Sequence, residues 1–243
     1  MKLLLNTIVS QKTGLNQDQF IAALDTTPQE IDGVEIRYEL LPQEKLARKA
    51  AIDHVLEVSQ RHNWEIYLSV PESLFLPEGL NPLLEGYLQV AQALNAQSVK
   101  INTGDSAGIT LGAKEEMEML RAQYPLRLTV ENDQTPENGS AQGVRQVLQR
   151  IAELEMPIGY TFDLGNWQYM GEDPKAMFVE LESRITVFHM KNMVRQQTTL
   201  LDEGAANWRE FVTLPVPYIL EYPMTLEQLP TEIQKIREAF QDD

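Results

Sequence analysis

The feature that most constrains the fold of this chain is a short apolar, β-branched run that recurs eight times, each time followed by a longer segment. The runs lie about 30 residues apart along the 243-residue chain. Eight strand–helix units of this length are what a closed parallel barrel requires. We therefore predict an α/β fold, a single (β/α)8 TIM barrel that spans residues 1–243 as one domain. The predicted strands are 3–9, 33–37, 65–70, 98–103, 126–131, 158–163, 185–191 and 217–222.

The segments between the runs support this repeat, because several of them have apolar residues at helical spacing. The helices predicted from that spacing are 43–62, 80–94 and 144–154. Asp173 followed by Pro174 predicts the start of a further helix, with an N-cap residue and proline at the first helical position. Thr225 and Gln228 predict a capping box for the last helix.

In one of the eight strand–helix units the helical signal is weak, and one alternative fold fits the same pattern of strands. In the seventh unit only residues 207–213 are left for a helix. The alternative fold is an open doubly wound sheet. Such a sheet usually has fewer strands and often a glycine-rich first turn, and residues 9–14 do not form one.

Composition and charge exclude several functional classes. Apolar residues make up 43% of the chain, and 20 Lys and Arg face 36 Asp and Glu, for a formal net charge of −16. A surface with this excess of negative charge repels phosphate backbones and anionic lipids. We therefore expect neither a nucleic-acid nor a membrane partner. The absence of cysteine excludes disulfides, cysteine-type zinc sites and thiol nucleophiles.

The amino-terminal run does not resemble a targeting segment. Asn6 interrupts it, and no small-residue cleavage site follows, so we expect no signal peptide. No apolar stretch approaches the roughly 18 residues of a membrane span. We therefore expect a cytoplasmic protein.

Four polar side chains stand at matching positions near the ends of the last four predicted strands. Carboxyl-terminal strand ends carry the active site in (β/α)8 barrels, so these side chains are expected to converge at the barrel mouth. Each follows an apolar run, where an unpaired carboxylate or imidazole is costly to bury. The four candidates are Glu131, Asp163, His189 and Glu221.

Each of these residues also has a structural interpretation when taken alone. Glu131 and Glu221 could be solvated loop residues, Asp163 a turn or cap residue, and His189 a hydrogen-bonded core histidine. Their common phase in the repeat favours a shared site. Three carboxylates and one imidazole favour Mn²⁺ above all, with Mg²⁺ or Co²⁺ as alternatives and Zn²⁺ less favoured.

At this point the chain resembles a known family, the xylose isomerase-like TIM-barrel superfamily and, within it, the sugar phosphate isomerase/epimerase branch. The segments that carry the resemblance are Glu131-Asn132-Asp133, Phe162-Asp163-Leu164-Gly165-Asn166, His189-Met190-Lys191-Asn192 and Leu220-Glu221-Tyr222. Gly33-Val34-Glu35-Ile36-Arg37 and Gly171-Glu172-Asp173-Pro174 are also typical of that branch. The resemblance extends from about residue 30 to residue 225.

The resemblance implies roles for several side chains. In the ketose 3-epimerase members, Glu, Asp, His and Glu from strands five to eight hold the metal, and the two glutamates are the catalytic acid/base pair. The matching residues here are Glu131, Asp163, His189 and Glu221. The resemblance also implies that Glu137 and Arg195, six residues after the first ligand and the histidine, contact substrate. It favours a homo-oligomer as well.

Two positions depart from the family pattern. Asn166 stands where those epimerases commonly carry a histidine three residues after the Asp ligand. Asn192 replaces the acidic residue that often follows the family's His-x-Lys. Asn166 is still placed among the expected substrate-binding residues. Lys191, two residues after His189, points to the same side of the strand and could bond a substrate oxygen, or be a solvated strand-end lysine.

Three further side chains are candidates for substrate binding. Arg37 and Lys100, if they point inward, could bind a phosphate or carboxylate. Trp167 could form an apolar wall against a sugar face or serve only in packing. The acidic residues with which Arg37 and Lys100 could pair instead are Glu35, Glu39 and Asp105.

These residues allow one kind of chemistry with several outcomes. A divalent metal polarises a sugar carbonyl and stabilises the enediolate formed on loss of the α-proton, with Glu131 and Glu221 as the acid/base pair. Return of the proton gives epimerisation or aldose–ketose isomerisation, and loss of a β-hydroxyl gives dehydration. We expect a metal-dependent isomerase or epimerase of a small keto-sugar or sugar phosphate.

Three other functions are weighed against it. An inosose-type dehydratase would use the same site, and a catalytically inactive barrel would act as a binding protein. An apurinic endonuclease of the same superfamily would need a histidine-rich metal cluster. With three histidines and a net charge of −16, the chain disfavours that activity.

Overall fold

The computed structural model of the chain describes residues 1–241, and its centre is a closed barrel of eight parallel strands. Each barrel strand pairs in parallel with the next, and β1 closes the barrel by pairing with both β2 and β11. The barrel strands are β1 (Leu3–Asn6), β2 (Gly33–Arg37), β3 (Glu65–Leu76), β5 (Ser98–Gly104), β6 (Arg127–Glu131), β7 (Gly159–Asp163), β8 (Ile185–Met190) and β11 (Tyr218–Leu220). The predicted (β/α)8 barrel is confirmed.

Three short strands lie outside the barrel. β4 (Gly79–Leu80) pairs antiparallel with the end of β3, and β9 (Asn192–Val194) forms a hairpin with β10 (Gln197–Thr199). The strand predicted over 65–70 is therefore longer than expected, because β3 continues through a bulge to pair with β4. The strand predicted over 3–9 is shorter, since the Asn6 side chain accepts a hydrogen bond from the Ile8 amide and starts a 3-10 helix.

Helices follow most of the barrel strands. They are α1 (Gln17–Thr26), α2 (Lys45–His62), α3 (Leu84–Ala93), α4 (Leu111–Gln123), α5 (Pro136–Gly139), α6 (Ala141–Glu153), α7 (Leu164–Tyr169), α8 (Pro174–Leu181) and α9 (Leu229–Ala239). The helices predicted over 43–62, 80–94 and 144–154 correspond to α2, α3 and α6. α3 begins later than predicted because residues 79–80 belong to β4, and α6 begins earlier because Ser140 caps it.

The predicted helix ends agree only in part. Asp173 caps α8 by accepting hydrogen bonds from the amides of Lys175 and Ala176, as predicted. Thr225 and Gln228 exchange the two hydrogen bonds of a capping box, but these bonds close the turn over residues 225–228, and the position before the first residue of α9, Leu229, is Gln228 and not Thr225. In the seventh unit, the segment 207–213 forms a 3-10 helix over Trp208–Phe211 and not an α-helix.

The interior of the barrel is layered, and this layering positions the polar residues. Side chains on a strand alternate between the inside and the outside of the barrel. Leu4, Tyr67, Val187 and Ile219 form a small buried apolar cluster of their own. Two residues further along the same strands stand Asn6, Ser69, His189 and Glu221, all of them buried. Inside the barrel, a layer of polar side chains therefore lies next to this apolar layer, on the side of the carboxyl ends of the strands.

Outside the strands, the helices cover the barrel with one large apolar core. Part of this core is an aromatic cluster, in which Phe162 stacks on Phe188 with ring centroids 5.1 Å apart and meets Phe178 edge-on at 5.7 Å. Within residues 1–241, no helix combines the length and the apolar character that crossing a membrane requires.

Candidate metal centre

Four potential metal ligands meet at the carboxyl end of the barrel. Glu131 ends β6, Asp163 ends β7, His189 lies in β8, and Glu221 directly follows β11, so the four come from adjacent strands. One ligand atom of each lies within 4.8 Å of the others, and all four residues are buried. The structure thus brings together the four residues that the sequence placed at one phase of the repeat.

The donor atoms of this cluster fit a divalent cation. His189 Nδ1 lies 2.5 Å from Glu131 Oε1 and 3.2 Å from Glu221 Oε2. Within residues 1–241, Glu131 Oε1, Asp163 Oδ2 and His189 Nδ1 are buried and have no partner with hydrogen-bond geometry, although each has an ionisable neighbour within 2.7 Å. Buried polar atoms left in this state are costly unless a cation or water completes them. Carboxylate oxygens and one imidazole nitrogen are suitable ligands for such an ion.

Three positively charged side chains hold the carboxylates of the cluster. Lys100 Nζ is 2.5 Å from Glu131 Oε2, and Arg37 Nη1 is 3.1 Å from Glu221 Oε1. Lys191 Nζ contacts two carboxylates, at 2.7 Å from Asp163 Oδ2 and 3.1 Å from Glu221 Oε2. Each candidate carboxylate ligand is therefore already paired with a protein cation.

Arg37 and Lys100, for which an ion pair was the alternative to substrate binding, both form ion pairs. Arg37 pairs with Glu39 at 2.5 Å, as one interpretation expected, and also contacts Glu221, which lies two strands away. Lys100 pairs with Glu131, a partner that was not among those considered. Both also line the cavity above the cluster.

Glu35 and Asn6 belong to the site but were not predicted as site residues. Glu35 is fully buried, and its Oε2 lies 3.2 Å from His189 Nε2. Asn6 donates from Nδ2 to that same oxygen at 2.5 Å. The signal that could have found Glu35 is its spacing of two from Arg37, which puts both side chains on the inner face of β2.

The surroundings keep both glutamates ionised. Burial raises the pKa of Glu131, but Lys100 and His189 lower it by more, so its net shift is downward. Burial likewise raises the pKa of Glu221, and Lys191, His189 and Arg37 together bring it well below its ordinary value. Both side chains are thus available as bases at neutral pH.

The pKa values of the other two members of the cluster, Asp163 and His189, are raised. Burial, opposed by Lys191 and reinforced by the two glutamates, raises the pKa of Asp163 to about 8. Burial lowers the pKa of His189, but the carboxylates around it raise it well above its ordinary value. The cluster therefore retains protons that a bound metal would displace.

A cavity of about 490 Å³ opens above the cluster. Its size suits a small polar ligand. It is lined by both candidate glutamates and by four of the predicted substrate-binding residues. Those four are Arg37, Lys100, Asn166 and Lys191.

Three other predicted substrate contacts lie elsewhere. Glu137 is exposed on the short helix α5, and Arg195 is exposed in the β9–β10 turn, where it lines a separate cavity of about 480 Å³. Trp167 is fully buried in α7, with its ring 6.1 Å from that of Phe162. Roles of these three in substrate binding remain predictions.

The two departures from the family pattern have defined contacts. Asn166 donates from its side chain to the Asn132 carbonyl at 2.8 Å and accepts from Gln134 at 3.0 Å. Asn192 donates to the carbonyls of Leu201 and Ala206, so it fixes the loop that follows the hairpin. Asn166 thus lies at the cavity wall, whereas Asn192 has a structural contact.

Comparison with known proteins identifies the fold. No family model and no curated protein matches the chain. D-psicose 3-epimerase with D-tagatose, from Clostridium cellulolyticum H10, aligns over 100% of this chain and 99% of its own, with TM-score 0.72 and 11% identity. The IolI protein with a zinc atom aligns over 100% and 99%, with TM-score 0.70 and 14% identity.

A third match carries the family's name. A fusion of a xylose isomerase-like TIM barrel with 4-hydroxyphenylpyruvate dioxygenase aligns over 98% of this chain and 42% of its own, with TM-score 0.66 and 14% identity. The architecture, the closed barrel and these matches agree with the resemblance noted in the sequence. The chain has the fold of the xylose isomerase-like TIM barrel proteins.

Proposed function

We propose that the chain is a divalent-metal-dependent isomerase or epimerase that acts on a small keto-sugar or sugar phosphate. The observation that carries the proposal is the placement of Glu131 and Glu221. Both contact His189 Nδ1, although they come from β6 and from the end of β11, with two strands between them. Both also line the same cavity.

Glu131, Asp163, His189 and Glu221 would hold the metal. When bound, a divalent cation supplies the positive charge that polarises a carbonyl and stabilises an enediolate. The oxygen-rich donor set favours Mn²⁺, with Mg²⁺ and Co²⁺ as alternatives. The zinc atom bound in the IolI structure supports a divalent ion as the cofactor.

The protein's own groups account for the proton transfer. Lys100 keeps Glu131 ionised, and Lys191 with Arg37 keeps Glu221 ionised in the metal-free chain, where a bound cation would take over the part of Lys191, so either carboxylate can take the proton beside the substrate carbonyl. The other glutamate takes up a proton from water in the cavity and delivers it on the opposite face, which inverts that carbon, and the first glutamate returns the abstracted proton to water. Delivery to the neighbouring carbon gives isomerisation. Loss of a β-hydroxyl from the same enediolate gives dehydration, the second candidate reaction.

The experiment is deuterium exchange with a panel of ketoses and sugar phosphates in D₂O containing Mn²⁺. We expect metal-dependent incorporation of deuterium at the carbon beside the carbonyl. Glu131→Gln and Glu221→Gln are expected to lose at least about a hundredfold in rate, the usual contribution of a positioned acid or base. Glu116→Gln, an exposed residue of α4, is the control and should match the wild type.

Elemental analysis of the same proteins tests the metal. We expect about one equivalent of a divalent ion in the wild type and less in Glu221→Gln, because one ligand loses its charge. A wild type that binds no metal and exchanges no substrate would refute the proposal in favour of a binding protein. Formation of a dehydrated product without exchange into recovered substrate would instead establish the dehydratase.

Two further expectations from the sequence stay with this proposal. A cytoplasmic location is tested by cell fractionation, and a homo-oligomer by light scattering on the purified chain. The proposed partner is a small sugar or sugar phosphate, whose size the cavity of about 490 Å³ accommodates.

A further inference from the structure

We propose that Lys191 is a resident cation of the metal site, and that a metal ion binds only by displacing its ammonium group. This inference rests on the metal centre of the proposed function. It adds a role for a residue that is neither a ligand nor an acid/base group. The role is to set how tightly the site holds its metal.

The ammonium group contacts the same oxygens that a metal would use. Asp163 Oδ1 already accepts the backbone amide of Asn166 at 2.8 Å, which leaves Oδ2 for a metal. Lys191 Nζ lies 2.7 Å from that Oδ2. Glu221 Oε1 is held by Arg37, which leaves Oε2, and Lys191 Nζ lies 3.1 Å from it.

Because the site is buried, the Lys191 ammonium group and a divalent ion cannot both contact these carboxylate oxygens. Lys191 is 9% exposed, Glu221 is 6% exposed and Asp163 is fully buried, so little water screens the charges. A divalent ion sits about 2.0–2.2 Å from a carboxylate oxygen. An ammonium group on the same two oxygens then lies within a few ångströms of the ion, and the repulsion is strong in a buried site. Since Lys191 lines the cavity, its flexible stem can carry the ammonium group there.

Gly165 creates the room that the lysine stem occupies. A Cβ atom on Gly165 would lie 2.7 Å from Lys191 Cγ and 3.0 Å from Cε, closer than side chains tolerate. Alanine at this position would therefore push the lysine stem aside without removing any charged group from the site. Gly112 is a matched position, because it is also the second residue of a helix and meets nothing closer than 3.8 Å.

The experiment is titration calorimetry with Mn²⁺ on metal-free wild type, Lys191→Met and Gly165→Ala at one fixed pH. We expect Lys191→Met to bind Mn²⁺ at least about tenfold more tightly, which corresponds to about 1.4 kcal/mol. Gly165→Ala should bind it more tightly by a smaller factor. The controls are Gly112→Ala and Lys175→Met, an exposed lysine paired with Glu210, and both should stay within about twofold of the wild type.

The outcomes separate this inference from the proposed function. If the wild type binds Mn²⁺ and both site variants bind it equally or more weakly, the displacement of Lys191 is refuted and the metal centre stands. If no variant and no wild type binds a divalent ion, the metal centre itself is refuted. Should Lys191→Met fail to fold, Gly165→Ala decides, because it removes no charge.

Discussion

The pair formed by Lys100 and Glu131 should contribute far more to stability than a surface pair of the same chemistry. Their side chains are 6% and 3% exposed, with Nζ and Oε2 2.5 Å apart. Lys175 and Glu210 form the comparison pair, at 60% and 42% exposure. Removing one partner of a buried pair leaves an uncompensated charge and costs about 3–5 kcal/mol, whereas an exposed pair is worth about 0–1 kcal/mol.

We therefore expect Lys100→Met to lose about 3–5 kcal/mol in metal-free buffer, and Lys175→Met at most about 1 kcal/mol. For a chain of this size the first loss lowers Tm by roughly 6–20 °C. Urea denaturation gives the free energies and calorimetry gives Tm. Lys100→Met/Glu131→Gln should recover much of the loss, since no unpaired charge then remains buried.

The pH dependence supplies a second check on the same reasoning. Without Lys100, burial raises the pKa of Glu131 in the folded chain above its value in the unfolded chain. The folded state then holds a proton that the unfolded state releases, so the stability of Lys100→Met falls as pH rises and its deficit shrinks in acid. A deficit below about 1 kcal/mol at neutral pH would refute the argument and would assign the balancing charge to His189 instead.

Three other predictions concern the scaffold. Phe162→Ala should cost about 3–5 kcal/mol by urea denaturation, because the buried ring stacks within an aromatic cluster; a cost below 1 kcal/mol would contradict that packing. Gly104→Ala should destabilise the chain by more than about 1 kcal/mol, since φ is +87° and a Cβ would lie 2.0 Å from the Phe75 carbonyl oxygen, while Gly86→Ala, in open space on α3, should be neutral or stabilising. Hydrogen bonds from its lysine, tryptophan and arginine partners lower the pKa of Asp202, so the Tm advantage of wild type over Asp202→Asn should be present at neutral pH and shrink as pH falls below the ordinary value of 3.8; an advantage independent of pH would contradict this.

The barrel could be predicted from the sequence because each of its strands is a local signal. A buried parallel strand reads as a short apolar run, and eight such runs at one period leave few architectures. The same period put Glu131, Asp163, His189 and Glu221 at one phase. The details that differ depend on contacts that are not local, such as the bulge that lets β3 run on to β4.

The partners inside the site could not be predicted in the same way. Strand alternation places Lys100 and Arg37 on the inner face of the barrel, but the carboxylate that each meets depends on the radius and stagger of the closed barrel. Lys100 reaches Glu131 on the next strand, whereas Arg37 reaches Glu221 two strands away. Pairings between neighbours in sequence, such as Arg37 with Glu39, are the ones that sequence reasoning finds.

Residues carried over by their offset from a ligand depend on the loop between them. Arg195 follows His189 by six residues, but the chain forms the β9–β10 hairpin there, and Arg195 adopts a left-handed φ of 59° at its turn. Glu137 follows Glu131 by the same offset and lies on α5 with its side chain exposed. A fixed offset therefore transfers a position in the sequence without transferring the direction in which the side chain points.

The net charge of the whole chain does not describe the charge of the candidate site. The chain as a whole carries −16, yet the cavity gathers Arg37, Lys100 and Lys191 around four buried carboxylates. Three basic side chains and a protonated His189 face the four carboxylates, and Asp163, whose pKa is raised to about 8, keeps a proton at neutral pH, so no negative charge is left uncompensated. The protein's own groups therefore let the barrel hold its polar layer together in the metal-free state. An incoming divalent ion must then displace the ammonium group of Lys191 as well as the protons of the cluster, and this competition, more than the number of ligands, would determine the metal affinity of the site.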